Sequence, residues 1–245
     1  MKKKLIVFDL DGTLLTSEKE ITEESKDAIW KCKEKGYYIA YITGRGSLKT
    51  KKFIDKLPCD AYACNNGSKI FCENQLIQSN CIDFDYGKKI LENECKDKDV
   101  FVCMEPIKYL NYDDSKINNK DYFKCDIANL PHHPIDMISV KNAEEVNFEK
   151  YNEIQAKKSG KNEWMINHKN ATKKNALEVM LQYFKMEKEN VIAFGDDYSD
   201  LEMFETSGKS VAMGNAIPEL KQMATYITDD NNSNGIANFI DQFII

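Results

Sequence analysis

Four apolar residues, Leu5-Ile6-Val7-Phe8, run directly into Asp9-Leu10-Asp11-Gly12-Thr13. A short continuous apolar run bounded by a turn signal fits a strand buried on both faces. Two carboxylates, one residue apart, then stand where that strand ends, and Gly12 with Thr13 lets the backbone turn sharply. Charge at the rim of a buried strand is costly unless something pairs with it, and a divalent cation or a reacting phosphate is such a partner. On an extended segment Asp9 and Asp11 point to the same side. That supplies a nucleophile able to form an aspartyl-phosphate, and an acid/base to protonate the leaving oxygen and later activate water.

Strand and helix patterns alternate on both sides of a differently built middle. Tyr37 to Ile42 reads as a second strand, after a helix over Thr22 to Lys35 that Thr22 caps and Gly36 stops. Ser47 to Leu57 reads as a lysine-rich helix, Ala61 to Ala63 as a strand, and Asn65-Asn66-Gly67 as a turn before a hairpin. After Gly160 the alternation returns with a helix over Thr172 to Lys185 and a buried strand over Val191 to Phe194. Ser199 and Glu202 have capping-box spacing for the helix that follows. Between these halves lie short strand patterns, including Val100 to Met104 and Asp136 to Lys141, with helix patterns near Tyr86 to Cys95 and Asn147 to Lys158. The fold class expected is α/β: a Rossmann-like parallel sheet with helices on both faces, plus an inserted smaller α+β domain. The core then comprises residues 1–82 and 164–245, and the insert residues 83–163.

Three strands of the core end in polar clusters: Asp9 to Thr13, Thr43 to Arg45, and Gly195 to Asp200. Ligand sites in open α/β sheets gather at the carboxyl edge of the strands, so the three clusters can share one site. Magnesium takes oxygen ligands, and one carboxylate from the first strand, one from Gly195-Asp196 and a backbone carbonyl of the first loop could hold it. Thr43 offers phosphate a hydroxyl and a backbone N–H, and Lys173 or Lys174 a positive charge. Arg45 is the sole arginine among the 34 basic residues, and lysine cannot replace its planar fork.

The net charge of −6 argues against a nucleic-acid partner, and no apolar run is long enough to span a bilayer. Met1-Lys2-Lys3-Lys4 reads as a solvated strand start and not as a signal peptide. Eight cysteines without a CxxC pair are expected to be reduced thiols of a cytoplasmic protein. Cys125, His132 and His133 match no zinc spacing, so a plain loop is expected there.

Taken together, these motifs resemble the haloacid dehalogenase superfamily of phosphatases over essentially the whole chain. Asp9-Leu10-Asp11-Gly12-Thr13-Leu14-Leu15 is similar to its first motif, Thr43-Gly44-Arg45 to its second, Lys173 within Thr172-Lys173-Lys174-Asn175 to its third, and Gly195-Asp196-Asp197-Tyr198-Ser199-Asp200 to its fourth. The position of the insert resembles the C2-type cap of the Cof-like subfamily, as do Asn66-Gly67, Ala212-Met213-Gly214-Asn215-Ala216 and Asn234-Gly235-Ile236-Ala237. The resemblance implies a magnesium-dependent phosphatase of small phosphorylated metabolites, with Asp9 as nucleophile and Asp11 as general acid/base. It implies that Asp9, the Asp11 carbonyl and Asp196 bind Mg2+, with Asp200 supporting the metal shell or orienting the lysine. Phosphate would be held by Thr43, Gly44, Lys173 and the Leu10 backbone, and by Ser199 where the family usually has Asn. It further implies a cap that closes over the site, a small-molecule partner, and a monomer or weak homo-oligomer without nucleic acid or membrane. A phosphomutase or phosphotransferase would use the same parts. A non-catalytic phosphate-sensing module fits less well, because a receiver keeps its acceptor on a later strand than its acidic pair.

Overall fold

The computed structural model describes residues 3–113, 122–143, 146–158 and 162–245. Its elements in chain order are β1 (Leu5–Phe8), α1 (Glu23–Glu34), β2 (Tyr38–Ile42), α2 (Ser47–Ile54), β3 (Ala61–Cys64), β4 (Lys69–Cys72), β5 (Gln75–Ser79), α3 (Phe84–Glu94), β6 (Asp99–Met104) and β7 (Ile107–Leu110). There follow β8 (Tyr122–Lys124), β9 (Met137–Lys141), β10 (Ile154–Lys158), β11 (Glu163–His168), α4 (Lys173–Phe184), β12 (Val191–Gly195), α5 (Leu201–Glu205), β13 (Lys209–Ala212), α6 (Pro218–Met223), β14 (Tyr226–Ile227) and α7 (Gly235–Phe243).

Two compact units divide the chain: Met1–Gln78 with Thr172–Ile245, and Ser79–Ala171. The first holds a sheet in the order β14-β13-β12-β1-β2-β3-β4-β5. β1 lies inside it, parallel to both β2 and β12, with Phe8 opposite Tyr41 and Phe194. β3, β13 and β14 continue the parallel run, and β4 returns antiparallel to β3. Alternate residues of a strand face opposite sides. Ile6 and Phe8 therefore pack in a core shared with Ile29 of α1 and Phe239 and Ile240 of α7. Leu5 and Val7 pack in a second core with Leu177 and Met180 of α4, Met203 of α5 and Leu220 of α6. Both sheet faces are covered, as the unbroken apolar run of β1 requires.

The second unit contains a sheet in the order β10-β11-β9-β6-β7-β8, antiparallel except where β7 meets β8. Its own core joins Ile90 and Leu91 of α3 to Val102, Ile138 and Ile166 of the sheet.

Three expectations are corrected. The helix expected near Asn147 to Lys158 is a turn followed by β10, in which Ile154 and Ala156 face the core while Gln155 and Lys157 alternate away, a period of two. The insert is not bounded by residues 83 and 163: the second unit begins at Ser79, and β11 pairs with β9 and β10, so it runs on to Ala171. The helix after β12 is not capped by Ser199 and Glu202. Asp197 and Asp200 form the capping box instead, two residues earlier, on the 3₁₀ turn Tyr198–Asp200. Met1, Lys2 and Gly160 lie outside the described residues.

Candidate active site

The polar clusters follow the carboxyl ends of three adjacent parallel strands, Asp9 after β1, Thr43 after β2 and Asp196 after β12. Chain connectivity alone therefore brings residues far apart in sequence to one rim. Asp9 is buried, and its backbone N–H continues the sheet to the Phe194 carbonyl.

Lys173 begins α4, where the Thr172 hydroxyl caps the helix by accepting from the Asn175 N–H at 3.0 Å. Lys173, Ala176, Leu177, Met180 and Leu181 fall on one helical face. The apolar stripe that packs α4 on the sheet thus also aims Lys173 at the rim. Its ammonium donates to Asp9 Oδ1 at 2.6 Å and to Asp200 Oδ1 at 2.7 Å, and all three side chains are buried. Lys174, one position round the helix, is only half-buried. Of the two lysines, Lys173 is the one that meets the acidic residues of the rim.

Asp200 spends both oxygens inside the protein, Oδ1 on Lys173 and Oδ2 on the N–H groups of Asp196 and Asp197. It fixes the lysine and the turn that carries Asp196. Asp196 Oδ1 accepts from the buried Thr13 hydroxyl at 2.7 Å. The Gly12 backbone, at φ +79°, passes so close that a Cβ there would lie 2.2 Å from Asp196 Oδ2. Only glycine fits that turn and that approach. Asn215 braces the same loop by donating to the Gly12 carbonyl at 2.8 Å, and Asn231 by donating to the Leu15 carbonyl at 2.8 Å.

Oxygens of Asp9, Asp196 and Asp200 lie within 4.8 Å of one another, and no other such group of potential ligands exists among the described residues. Burial pushes the Asp9 carboxyl up to about 7 despite the opposing pull of Lys173. Burial likewise raises Asp196 to about 6, against the hydrogen bond from Thr13. Burial alone would lower Lys173, but Asp200 and Asp9 outweigh it and hold its ammonium above the ordinary lysine range. Three carboxylates therefore face one ammonium, an excess of two negative charges when all are ionised. An all-oxygen donor set with that excess fits a hard divalent cation.

Asp11 has other partners. The Arg45 guanidinium grips it with Nε on Oδ2 at 2.5 Å and a terminal nitrogen on Oδ1 at 2.6 Å, and Lys19 adds a third contact at 2.8 Å. Burial pushes this carboxyl up, yet the hydrogen bonds from Arg45 and Lys19 prevail and bring it down to about 2. The two aspartates of the first motif thus have separate partners: the side chain of Asp9 joins the acidic trio and that of Asp11 joins the two cations.

Of the remaining residues, Thr43 is buried, but its N–H is spent on the Ala63 carbonyl at 3.1 Å, so the donor expected there is its hydroxyl alone. Its hydroxyl oxygen also accepts from the Arg45 N–H at 3.1 Å. Gly44 lets the Asn66 amide approach, since a Cβ would sit 3.2 Å from its oxygen. The Leu10 carbonyl accepts from the N–H groups of Thr13 and Leu15 and closes the first loop. Ser199 lies half-buried on the turn beside Asp200 and takes part in none of these contacts. Sequence reasoning missed Thr13 and Lys19 as partners of the aspartates. Thr13 was visible only as part of its motif, and Lys19 carries no local signal. Cys125, His132 and His133 form no ligand cluster.

Residues 6–240 match the sequence pattern of the haloacid dehalogenase-like hydrolases. The chain is 29% identical to the 5-amino-6-(5-phospho-D-ribitylamino)uracil phosphatase YwtE of Bacillus subtilis, with 98% of each chain covered. It is also 29% identical to phosphoglycolate phosphatase 1 of Saccharolobus solfataricus, covering 98% of this chain and 96% of that one. Its fold superposes on the crystal structure of TM0651 from Thermotoga maritima with a TM-score of 0.87 at 25% identity, covering 100% of this chain and 98% of the other. The four motifs, the rim they share and the match across nearly every residue lead to one assignment: this chain belongs to the haloacid dehalogenase-like hydrolase family.

Proposed function

We propose that the protein is a Mg2+-dependent phosphatase of small phosphomonoesters, working through an aspartyl-phosphate on Asp9. The observation that carries this reading is the buried Lys173 bridging Asp9 and Asp200 beside Asp196, a constellation with an uncompensated negative charge. The relatives above are named as phosphatases of chemically different substrates, which supports the reaction class and leaves the substrate class at phosphorylated small molecules.

In this reading Asp9, the Asp11 carbonyl and Asp196 hold the metal. The ion supplies positive charge that lets a phosphate dianion approach the Asp9 carboxylate. An Asp9 oxygen attacks phosphorus as the bond to the leaving oxygen breaks, and Asp11 delivers a proton to that oxygen. Asp11 then takes a proton from the water that attacks the aspartyl-phosphate, which frees inorganic phosphate and regenerates Asp9. Lys173 balances charge on the phosphoryl oxygens. The Thr43 hydroxyl, Gly44, Ser199 and the Leu10 backbone are assigned to the same oxygens.

No helix among the described residues is long and apolar enough to cross a membrane. No disulfide joins the eight cysteines, and a cytoplasmic location is part of this reading. A monomer or weak homo-oligomer completes the reading. The test is release of inorganic phosphate from a panel of phosphorylated metabolites, with and without Mg2+. Turnover that needs Mg2+ and vanishes in a folded Asp9→Asn variant is expected. Full turnover in that variant overturns the reading.

A further inference from the structure

We propose that Asn215 is a positioning residue for the cation site: it ties the first loop to the turn after β13 that also holds Asp196, and so sets how tightly a divalent cation is bound. The inference rests on the reading of Asp9, the Asp11 carbonyl and Asp196 as the ligands.

The turn from Met213 to Ile217 touches both loops that would share the ion. On one side the Met213 N–H donates to the Gly195 carbonyl at 3.1 Å, and the Ile217 N–H to the Asp196 carbonyl at 2.9 Å. On the other side the link is a side chain, the Asn215 amide donating to the Gly12 carbonyl at 2.8 Å. The Asn215 oxygen accepts from the Asn231 N–H at 3.1 Å. Both ends of this amide are engaged within the protein, which suits a brace, and an amide does so without adding charge to the acidic rim. Farther along the first loop, the Asn231 amide holds the Leu15 carbonyl. Asn232 accepts from the Ser17 N–H at 2.9 Å and donates to its hydroxyl at 3.1 Å. The loop is thus held at Gly12, Leu15 and Ser17, and the first of these points adjoins the ligands. Gly12 follows the Asp11 carbonyl directly and lies against Asp196. When ionised, the Asp9 and Asp196 carboxylates repel, so the two loops gain by moving apart unless something outside the acidic group restrains them. Mg2+ tolerates little departure from octahedral geometry, so its affinity depends on that spacing.

The probe is Mn2+, which takes the same oxygen donors as Mg2+ and whose free form is read by electron paramagnetic resonance with no substrate present. Asn215→Ala is expected to weaken the binding of Mn2+, and of Mg2+ competing with it, by about tenfold or more, the usual cost of losing a group that orients metal ligands from outside. The Mg2+ concentration for half-maximal phosphate release rises by the same factor. Turnover at saturating Mg2+ stays within about threefold of wild type, and KM for the phosphomonoester changes little, because the loss lies in binding the ion. Asn215 is exposed and belongs to neither core of the first unit, so its removal leaves both packed. Asn232→Ala removes two hydrogen bonds farther along the same loop and measures the effect of loosening alone. It is expected to lower Tm while moving Mn2+ affinity by less than about twofold, since it holds no peptide next to a ligand. Unchanged Mn2+ affinity in Asn215→Ala, an equal loss in Asn232→Ala, or a turnover deficit that saturating Mg2+ does not restore overturns the positioning role. The ligand reading has its own arm. Asp196→Asn is expected to abolish Mn2+ binding; if binding persists there, the ion is held elsewhere, and that reading fails and takes the proposal with it.

Discussion

Lys173 is a buried ammonium held by two buried carboxylates, and its removal has two separable consequences. Lys173→Met leaves Asp9 and Asp200 without their cation, which costs on the order of 3–5 kcal/mol for a broken buried pair. Because burial already raises Asp9 to about 7, protonation relieves part of that cost in acid. Urea unfolding of Lys173→Met is therefore expected to show a larger deficit at pH 8 than at pH 5, and an equal deficit would contradict the assignment of charge. Phosphatase turnover of this variant falls by at least about a hundredfold, as for loss of a preorganised donor to a developing charge. The residues alone left Lys173 and Lys174 as alternatives; in the fold Leu177, Met180 and Leu181 mark the buried face of α4, and of the two lysines only Lys173 lies on it. The clamp on Asp11 was not legible, because nothing in the local sequence says that Lys19 and Arg45 meet at one carboxylate.

At the level of elements, the site is set by where strands stop and how tightly turns approach. Gly67 shows this. It has φ +102°, and a Cβ there would lie 2.6 Å from the Thr172 carbonyl at the start of α4. Gly67→Ala strains the turn after β3 and displaces the helix that presents Lys173. A destabilisation of roughly 1–3 kcal/mol is expected, with a matching drop in turnover, read by thermal unfolding and phosphate release. Thr172→Ala removes only the cap and is expected to cost about 1 kcal/mol. The strands β1, β2 and β12 were legible because each is a short apolar run closed by a polar cluster. The second unit was less so. Its strands are half-exposed, and the β10 pattern of Ile154 and Ala156 is too short to be told from a helix face by composition. The capping box was misplaced because Asp197 and Asp200 and the pair Ser199 and Glu202 have the same spacing, and only the first pair has both its hydrogen bonds.

For the whole molecule, the acidic rim couples stability to pH and to metal. Asp9 and Asp196 are raised from 3.8 to about 7 and about 6, so between about pH 4 and pH 7 the folded chain binds protons that the unfolded chain has released. Their contribution to stability falls as pH rises through that window and is level above it. If Mg2+ is the metal of the proposed function, it would bind the ionised form, and the rise in Tm that it produces is expected to be larger at pH 8 than at pH 5, as differential scanning fluorimetry would show. The second unit has a core of its own, so a Ser79–Ala171 fragment is expected to melt cooperatively, and a non-cooperative melt would contradict that independence. The division into two units was legible from the change of pattern. Neither boundary was: Ile82 already packs in the second core, and β11 carries Trp164 and Ile166 into it with no break before Ala171.

The most direct test of the account is chemical. A phosphomonoester carrying a radiolabelled phosphoryl group is mixed with excess enzyme and Mg2+, quenched in acid within a single turnover, and the protein is digested and mapped. Label on the peptide that contains Asp9, absent in Asp9→Asn, is the predicted result. Release of inorganic phosphate with no label passing through the protein, or label that persists in Asp9→Asn, would contradict it.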